Sequence, residues 1–79
     1  MTSSAVELHP RAESVQFTEE EMIVALADGR KISVPLAWFP RLSEASPQEL
    51  ENYELMGEGE GIHWPDVDED LSVSGLLAG

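Results

Sequence analysis

Apolar side chains recur at alternate positions over much of the chain's first half, the period of a strand with one buried face. Ser14-Val15-Gln16-Phe17-Thr18 has this alternation and predicts an edge strand with Val15 and Phe17 turned inward. Glu19-Glu20-Glu21 follows as a solvated turn or strand entry. The runs Met22 to Ala27 and Arg30 to Pro35 then flank Asp28-Gly29. An Asp-Gly pair between two such runs is a hairpin signal, because these residues tolerate the positive φ of a tight turn. The inward set is Met22, Val24 and Leu26 on one strand, with Ile32 and Val34 on the other. Pro35 has no N–H to offer a ladder, so it marks a strand end or a sheet edge.

The pattern changes after Pro35. Leu36-Ala37-Trp38-Phe39 suits one helical turn, which Pro40 stops by disfavouring α geometry at Phe39. Arg41-Leu42 is expected to extend across the core. Trp38 and Phe39 are expected inside it, because a small domain needs large side chains there. Ser46-Pro47-Gln48-Glu49 has the composition of a helix start: Ser46 caps, Pro47 takes the first helical position and Glu49 completes a capping box. That helix ends near Asn52 or Tyr53. Tyr53 to Met56 reads as a strand with Tyr53 and Leu55 inward, or as more of the helix. Gly57-Glu58-Gly59-Glu60-Gly61 reads as a flexible turn, and Ile62-His63-Trp64 returns along the sheet until Pro65. Beyond it, Val67, Leu71 and Val73 point inward while the acids point out. Ser72 or Ser74 caps a final turn in which Leu76 and Leu77 dock. Residues 1–13, polar and broken by Pro10, read as a flexible leader, and 14–79 as a single domain. The fold class is α+β, a small antiparallel sheet with one or two short helices.

Composition narrows the function. A 79-residue chain is one domain with a limited core. With no cysteine there is no disulfide, thiolate metal site or cysteine nucleophile. No apolar run approaches the roughly 18 residues that span a bilayer. The N-terminus has neither the basic start nor the apolar stretch of a signal peptide, so a cytoplasmic location is expected. Four Lys or Arg face 16 Asp or Glu, a formal net charge of −12. That field repels phosphate backbones and anionic membrane surfaces, which argues against direct nucleic-acid or membrane binding. It favours a basic protein partner, through faster encounter and rejection of wrong contacts. The plainer reading of the same charge is solubility.

Little in the chain carries chemistry. The cluster His63, Asp66, Asp68, Glu69 and Asp70 offers oxygen ligands for a hard cation, yet the spacing, central glycine and distal glutamate of a calcium loop are missing. Zinc needs further convergent ligands beside His63, and His9 lies in the leader. No metal or other cofactor is assigned, and the simpler reading is a solvated acidic loop after a locally buried Trp64. The glycine-rich 57–61 stretch lacks the lysine and hydroxyl of a phosphate loop. His63 beside Asp66 or Asp68 resembles an acid–base pair. A catalytic site also needs a nucleophile and charge stabilisation in a pocket. Cations are scarce, and Ser43, Ser46 and Ser74 suit turns and caps. No catalytic residue is assigned, and the chain is read as a non-enzyme.

Met22-Ile23-Val24 through Asp28-Gly29, Ile32-Ser33-Val34-Pro35, Trp38-Phe39-Pro40-Arg41-Leu42 and the closing run Gly61-Ile62-His63-Trp64-Pro65-Asp66-Val67-Asp68-Glu69-Asp70 with Leu71 to Leu77 resemble the DUF2442 family. The resemblance covers roughly residues 15–79, and its order of His, Trp, Pro and acids is specific. It implies a small α+β domain without an established activity. Some relatives resemble fusions to a helix-turn-helix domain, for which this chain has no room. Others look like one member of a gene pair with a small DUF4160 protein, an arrangement that suggests a toxin–antitoxin pair. The acidic charge fits the antitoxin side, with a small basic partner, DUF4160-like, bound and masked.

The favoured reading is therefore a protein-binding module. Its expected contact surface is Asp66, Asp68, Glu69 and Asp70 bordered by His63 and Trp64, negative charge around an aromatic anchor. A second candidate surface is a sheet edge, the 15–18 strand, open to strand addition. An edge of this kind also permits a homodimer. The alternatives are an accessory regulatory domain acting beside a separate DNA-binding protein, and a metal- or small-molecule-binding domain.

Overall fold

A computed structural model describes residues 10–78. Two three-stranded antiparallel sheets share one core. The first contains β1 (Ala12–Phe17), β2 (Glu21–Leu26) and β3 (Lys31–Pro35), in that order. The second contains β4 (Glu54–Met56), β5 (Gly61–Trp64) and β6 (Glu69–Ser72), with β5 in the middle. Between the sheets run a 3₁₀ turn (Leu36–Trp38) and the short helices α1 (Pro40–Ser43) and α2 (Pro47–Glu51). Helix α3 (Val73–Ala78) follows β6. The class is α+β, with two small sheets where one was expected.

The first sheet follows its alternation. Met22, Val24, Leu26 and Val34 are buried, and Ile32 packs partly against them. The β2–β3 hairpin uses a wider loop than a two-residue turn. Gly29 N–H donates to Leu26 C=O at 3.0 Å, and Leu26 N–H to Arg30 C=O at 2.8 Å, enclosing three residues. Only Gly29 adopts a positive φ, +97°. Asp28 instead accepts the Arg30 N–H at 3.0 Å through its side chain, which orders the turn locally. Strand β1 starts earlier than the alternation indicated. Ala12 and Glu13, assigned to the leader, belong to it, because a register shift between Ala12 and Ser14 turns Ala12 into the core. Arg11, also assigned to the leader, accepts the Ala27 N–H at 2.8 Å through its carbonyl, and residues 1–9 of the expected leader lie outside the described residues.

The central connection is where local reading and packing diverge. Arg41 and Leu42 are helical, since Pro40 stops one turn and occupies the first position of the next. Leu42 is fully buried. Trp38, expected in the core, is 59% exposed. A 3₁₀ turn advances about 120° per residue, so when Leu36 faces the core Trp38 faces away. Helix α2 has the expected capping box. The Ser46 hydroxyl accepts the Glu49 N–H at 3.1 Å, and the Glu49 carboxylate accepts the Ser46 N–H at 2.9 Å.

Tyr53 leaves α2 half-buried, and its hydroxyl accepts the Val15 N–H at 3.0 Å, tying the helix to β1. Leu55, expected inward, is exposed because β4 is a three-residue edge strand. The 57–61 stretch forms the expected turn, held close against β1. Gly57, Glu58 and Gly59 form a tight turn with φ of +59°, +63° and +98°, and Gly59 packs on the backbone of Ala12. Ile62 and Trp64, on the central strand, are fully buried. The Trp64 ring meets Phe17 edge-on, centroids 6.4 Å apart, and its indole N–H donates to the Leu50 carbonyl at 3.0 Å. One side chain thus joins both sheets and α2. Ser72 caps α3, accepting the Gly75 N–H at 3.0 Å. Val73 is buried, Leu76 partly so, and Leu77 exposed, so only one of the terminal leucines docks.

Candidate protein-interaction face

Antiparallel register decides which acidic residues share a surface. Glu54, His63 and Asp70 are paired across β4, β5 and β6, so their side chains form one row on the sheet's outer face. Trp64 pairs with Glu69 on the opposite face. The six residues expected to form one contact surface are therefore divided. His63 and Asp70 face outward together. Glu69 is half-buried on the inner side, and Trp64 has no exposed surface, so it cannot be a partner's anchor in the folded domain.

Asp66 and Asp68 lie in the β5–β6 loop. Asp66 accepts the Asn52 side-chain N–H at 3.0 Å, anchoring the loop to the end of α2. Asp68 takes φ +56°, a left-handed conformation that aspartate tolerates better than most residues. Arg41 donates to its carbonyl oxygen, and the Arg41 guanidinium lies 4.0 Å from its carboxylate. Both side chains are exposed, so this ion pair contributes little to stability.

His63 pairs with Asp70, not with the nearer Asp66 or Asp68. Its Nδ1 donates to Asp70 Oδ1, the role an ionised carboxylate requires. The hydrogen bond to Asp70 raises the His63 pKa above its ordinary value, outweighing the partial burial of the ring, and the charges of Asp70, Glu54 and Asp68 add to the rise. A raised folded-state value means that the pair's contribution is fully present below the unfolded histidine pKa of about 6.5 and is lost as pH climbs through the folded value. Asp70→Asn is therefore expected to lower the His63 pKa in an NMR titration of the ring protons. The stability gap between the wild type and this variant is expected to narrow as pH rises through the same range. A His63 titration unmoved by Asp70→Asn would show that the pair does not persist in solution.

Among the described residues no group of three or more His, Asp or Glu side chains converges to hold a metal ion. His9 lies outside the described residues. Among the described residues no helix is long and apolar enough to cross a membrane.

Sequence reasoning missed the surface's aromatic. Trp38 lies beside β6, where Trp38, Phe39, Asp70, Leu71, Ser72 and Leu76 line an open groove of about 410 Å³. The proximity of Pro35 and Pro40 was the available signal, since a single turn held between them can bury only one of its faces.

The model of the family described as "Protein of unknown function (DUF2442)" matches residues 12–79. No curated protein matches the chain. A crystal structure of a protein of unknown function from Rhodospirillum rubrum is similar at 35% identity and a TM-score of 0.77, covering 91% of this chain and 89% of that one. The solution structure of uncharacterized protein CV0863 from Chromobacterium violaceum is similar at 27% identity and a TM-score of 0.72. That alignment covers 86% of this chain and 64% of CV0863, so CV0863 is a longer protein. The match begins at Ala12, the first residue of β1, and on its extent the chain belongs to the DUF2442 family.

Proposed function

We propose that this domain is a protein-binding module that captures a small basic partner, as the antitoxin-like member of a two-protein pair. The observation that carries the reading is Trp38, a largely exposed indole beside Asp70 in an open groove, on a domain of net charge −12. Tryptophan in a groove is a common energetic centre of an interface, and surrounding acidic charge selects a basic partner and speeds encounter. Trp38 thus takes the anchoring role that the sequence pattern assigned to Trp64. Asp68 and Asp70 are exposed acids, Asp68 beside Arg41 and Asp70 paired with His63.

The test uses a small basic protein of the DUF4160 type as partner, titrated calorimetrically against the domain at low and high salt. Binding is expected to weaken at high salt. Trp38→Ala is expected to weaken it by about thirtyfold, the effect of losing roughly 2 kcal/mol at a hot spot. The same change should leave folding stability within about 0.5 kcal/mol, as for an exposed residue away from the core. Asp68→Asn with Asp70→Asn should slow association and flatten the salt dependence. Unchanged affinity in both variants would remove this face from consideration. Growth arrest by the partner alone, relieved when this domain is co-expressed, would establish the antitoxin role.

A further inference from the structure

The outer edge of β1 borders a second and larger cleft, about 820 Å³, that shares no lining residue with the Trp38 groove. Its floor and far wall are apolar, formed by Phe17, Leu42, Ala45 and Leu50, and its charged lining residues are Glu19 and Glu51. The volume lies within the ordinary range of ligand pockets, roughly 300–1,000 Å³.

The backbone along this edge is arranged for pairing. The Val15 N–H points away from β2, because the Tyr53 hydroxyl accepts it at 3.0 Å. Hydrogen-bonding direction alternates along a strand, so the Val15 C=O and the N–H and C=O of Phe17 point the same way, toward the cleft. Thr18 N–H turns back to the Glu21 carbonyl at 2.9 Å, as the alternation requires. At Phe17 this edge has no strand partner among the described residues, while at Val15 an added strand takes the place of the Tyr53 hydroxyl. Such an edge beside an apolar cleft is the setting for strand addition, in which main-chain bonds supply affinity and alternate side chains enter pockets.

We infer that this edge binds an extended peptide segment of alternating apolar and basic residues, which adds as a fourth strand beside β1. Apolar side chains fill the cleft between β1 and α1–α2, and lysine or arginine side chains meet Glu19 and Glu51. Charge complementarity selects this occupant over a second copy of the chain, whose own net charge of −12 opposes self-association. The site is independent of the Trp38 groove and stands whether or not that face is used.

The test is an NMR titration of the full chain with a blocked peptide of about six residues alternating lysine and valine, long enough for one short strand. The Phe17 amide is expected to shift and to gain protection from hydrogen exchange, while the Trp38 indole stays unmoved. Methylating the peptide's backbone nitrogens on the pairing side is expected to abolish binding. Glu19→Gln with Glu51→Gln is expected to weaken it by about fivefold at low salt, with an otherwise unchanged amide spectrum. Equal binding by the methylated peptide, or shifts scattered over all acidic residues, would overturn the proposal. So would a Phe17 amide already protected in the free protein, which would mean that the chain's own first residues or a second copy cover the edge.

Discussion

Gly59→Ala is expected to destabilise the domain by about 2–5 kcal/mol, combining about 1–2 kcal/mol for a left-handed alanine with about 1–3 kcal/mol for overpacking. Gly59 has φ +98° and is buried, and a Cβ there would fall 3.0 Å from the Ala12 nitrogen and closer still to its carbonyl oxygen. Those are backbone atoms of β1 and have no rotamer through which to move aside. A domain of this size has only about 5–10 kcal/mol of total stability, so the loss should appear as a large fall in the urea midpoint. Gly29→Ala supplies the comparison. Gly29 has nearly the same φ, +97°, but nothing lies within 4 Å of a Cβ built there, so only the conformational cost of about 1–2 kcal/mol applies. Equal losses at the two positions would show that β1 yields around position 59 and that the close approach is not a constraint.

Trp64→Ala is expected to cost about 3–5 kcal/mol, the range for removing a large buried aromatic. The ring is fully buried, contacts Phe17 of the other sheet and satisfies the Leu50 carbonyl. Its loss therefore loosens sheet–sheet and sheet–helix packing together. Trp64→Phe keeps much of the apolar volume but leaves the Leu50 carbonyl without its donor, so a loss of about 1–3 kcal/mol is expected. The domain's two tryptophans give a direct readout. Folded Trp64→Phe protein should fluoresce from exposed Trp38 alone and be red-shifted, whereas Trp38→Phe should leave the blue-shifted emission of a buried indole. Were Trp64→Ala as stable as the Trp38 variants, the assignment of core and surface tryptophan would be reversed.

These expectations also bear on binding experiments. Loss of partner binding on changing Trp64 would report unfolding, whereas the same loss on changing Trp38 with stability intact would report an interface. The acidic loop is separable from both, since Asp66 and Asp68 are exposed and make few contacts.

Much of the fold was legible without coordinates, because it depends on interactions within a few residues. The Met22 to Pro35 hairpin follows from period-two burial around Asp28-Gly29. The Ser46–Glu49 box follows from two side chains reaching neighbouring N–H groups. Family membership was visible for the same reason, in the order of residues from Gly61 to Asp70. What stayed hidden was settled by elements distant in sequence. Which tryptophan is buried depends on strand order: Trp64 lies on the central strand of its sheet, and Trp38 on a connecting turn with one face free. The partner of His63 depends on β5–β6 register, which selects Asp70, seven residues away, over closer acids. The need for glycine at position 59 depends on β1, 47 positions earlier at Ala12, passing against it. Local chemistry determined the elements of this protein and most of their inward faces. Strand register within the second sheet decided which acids share a surface, and packing across the core decided which aromatic is buried, because both depend on partners distant in sequence.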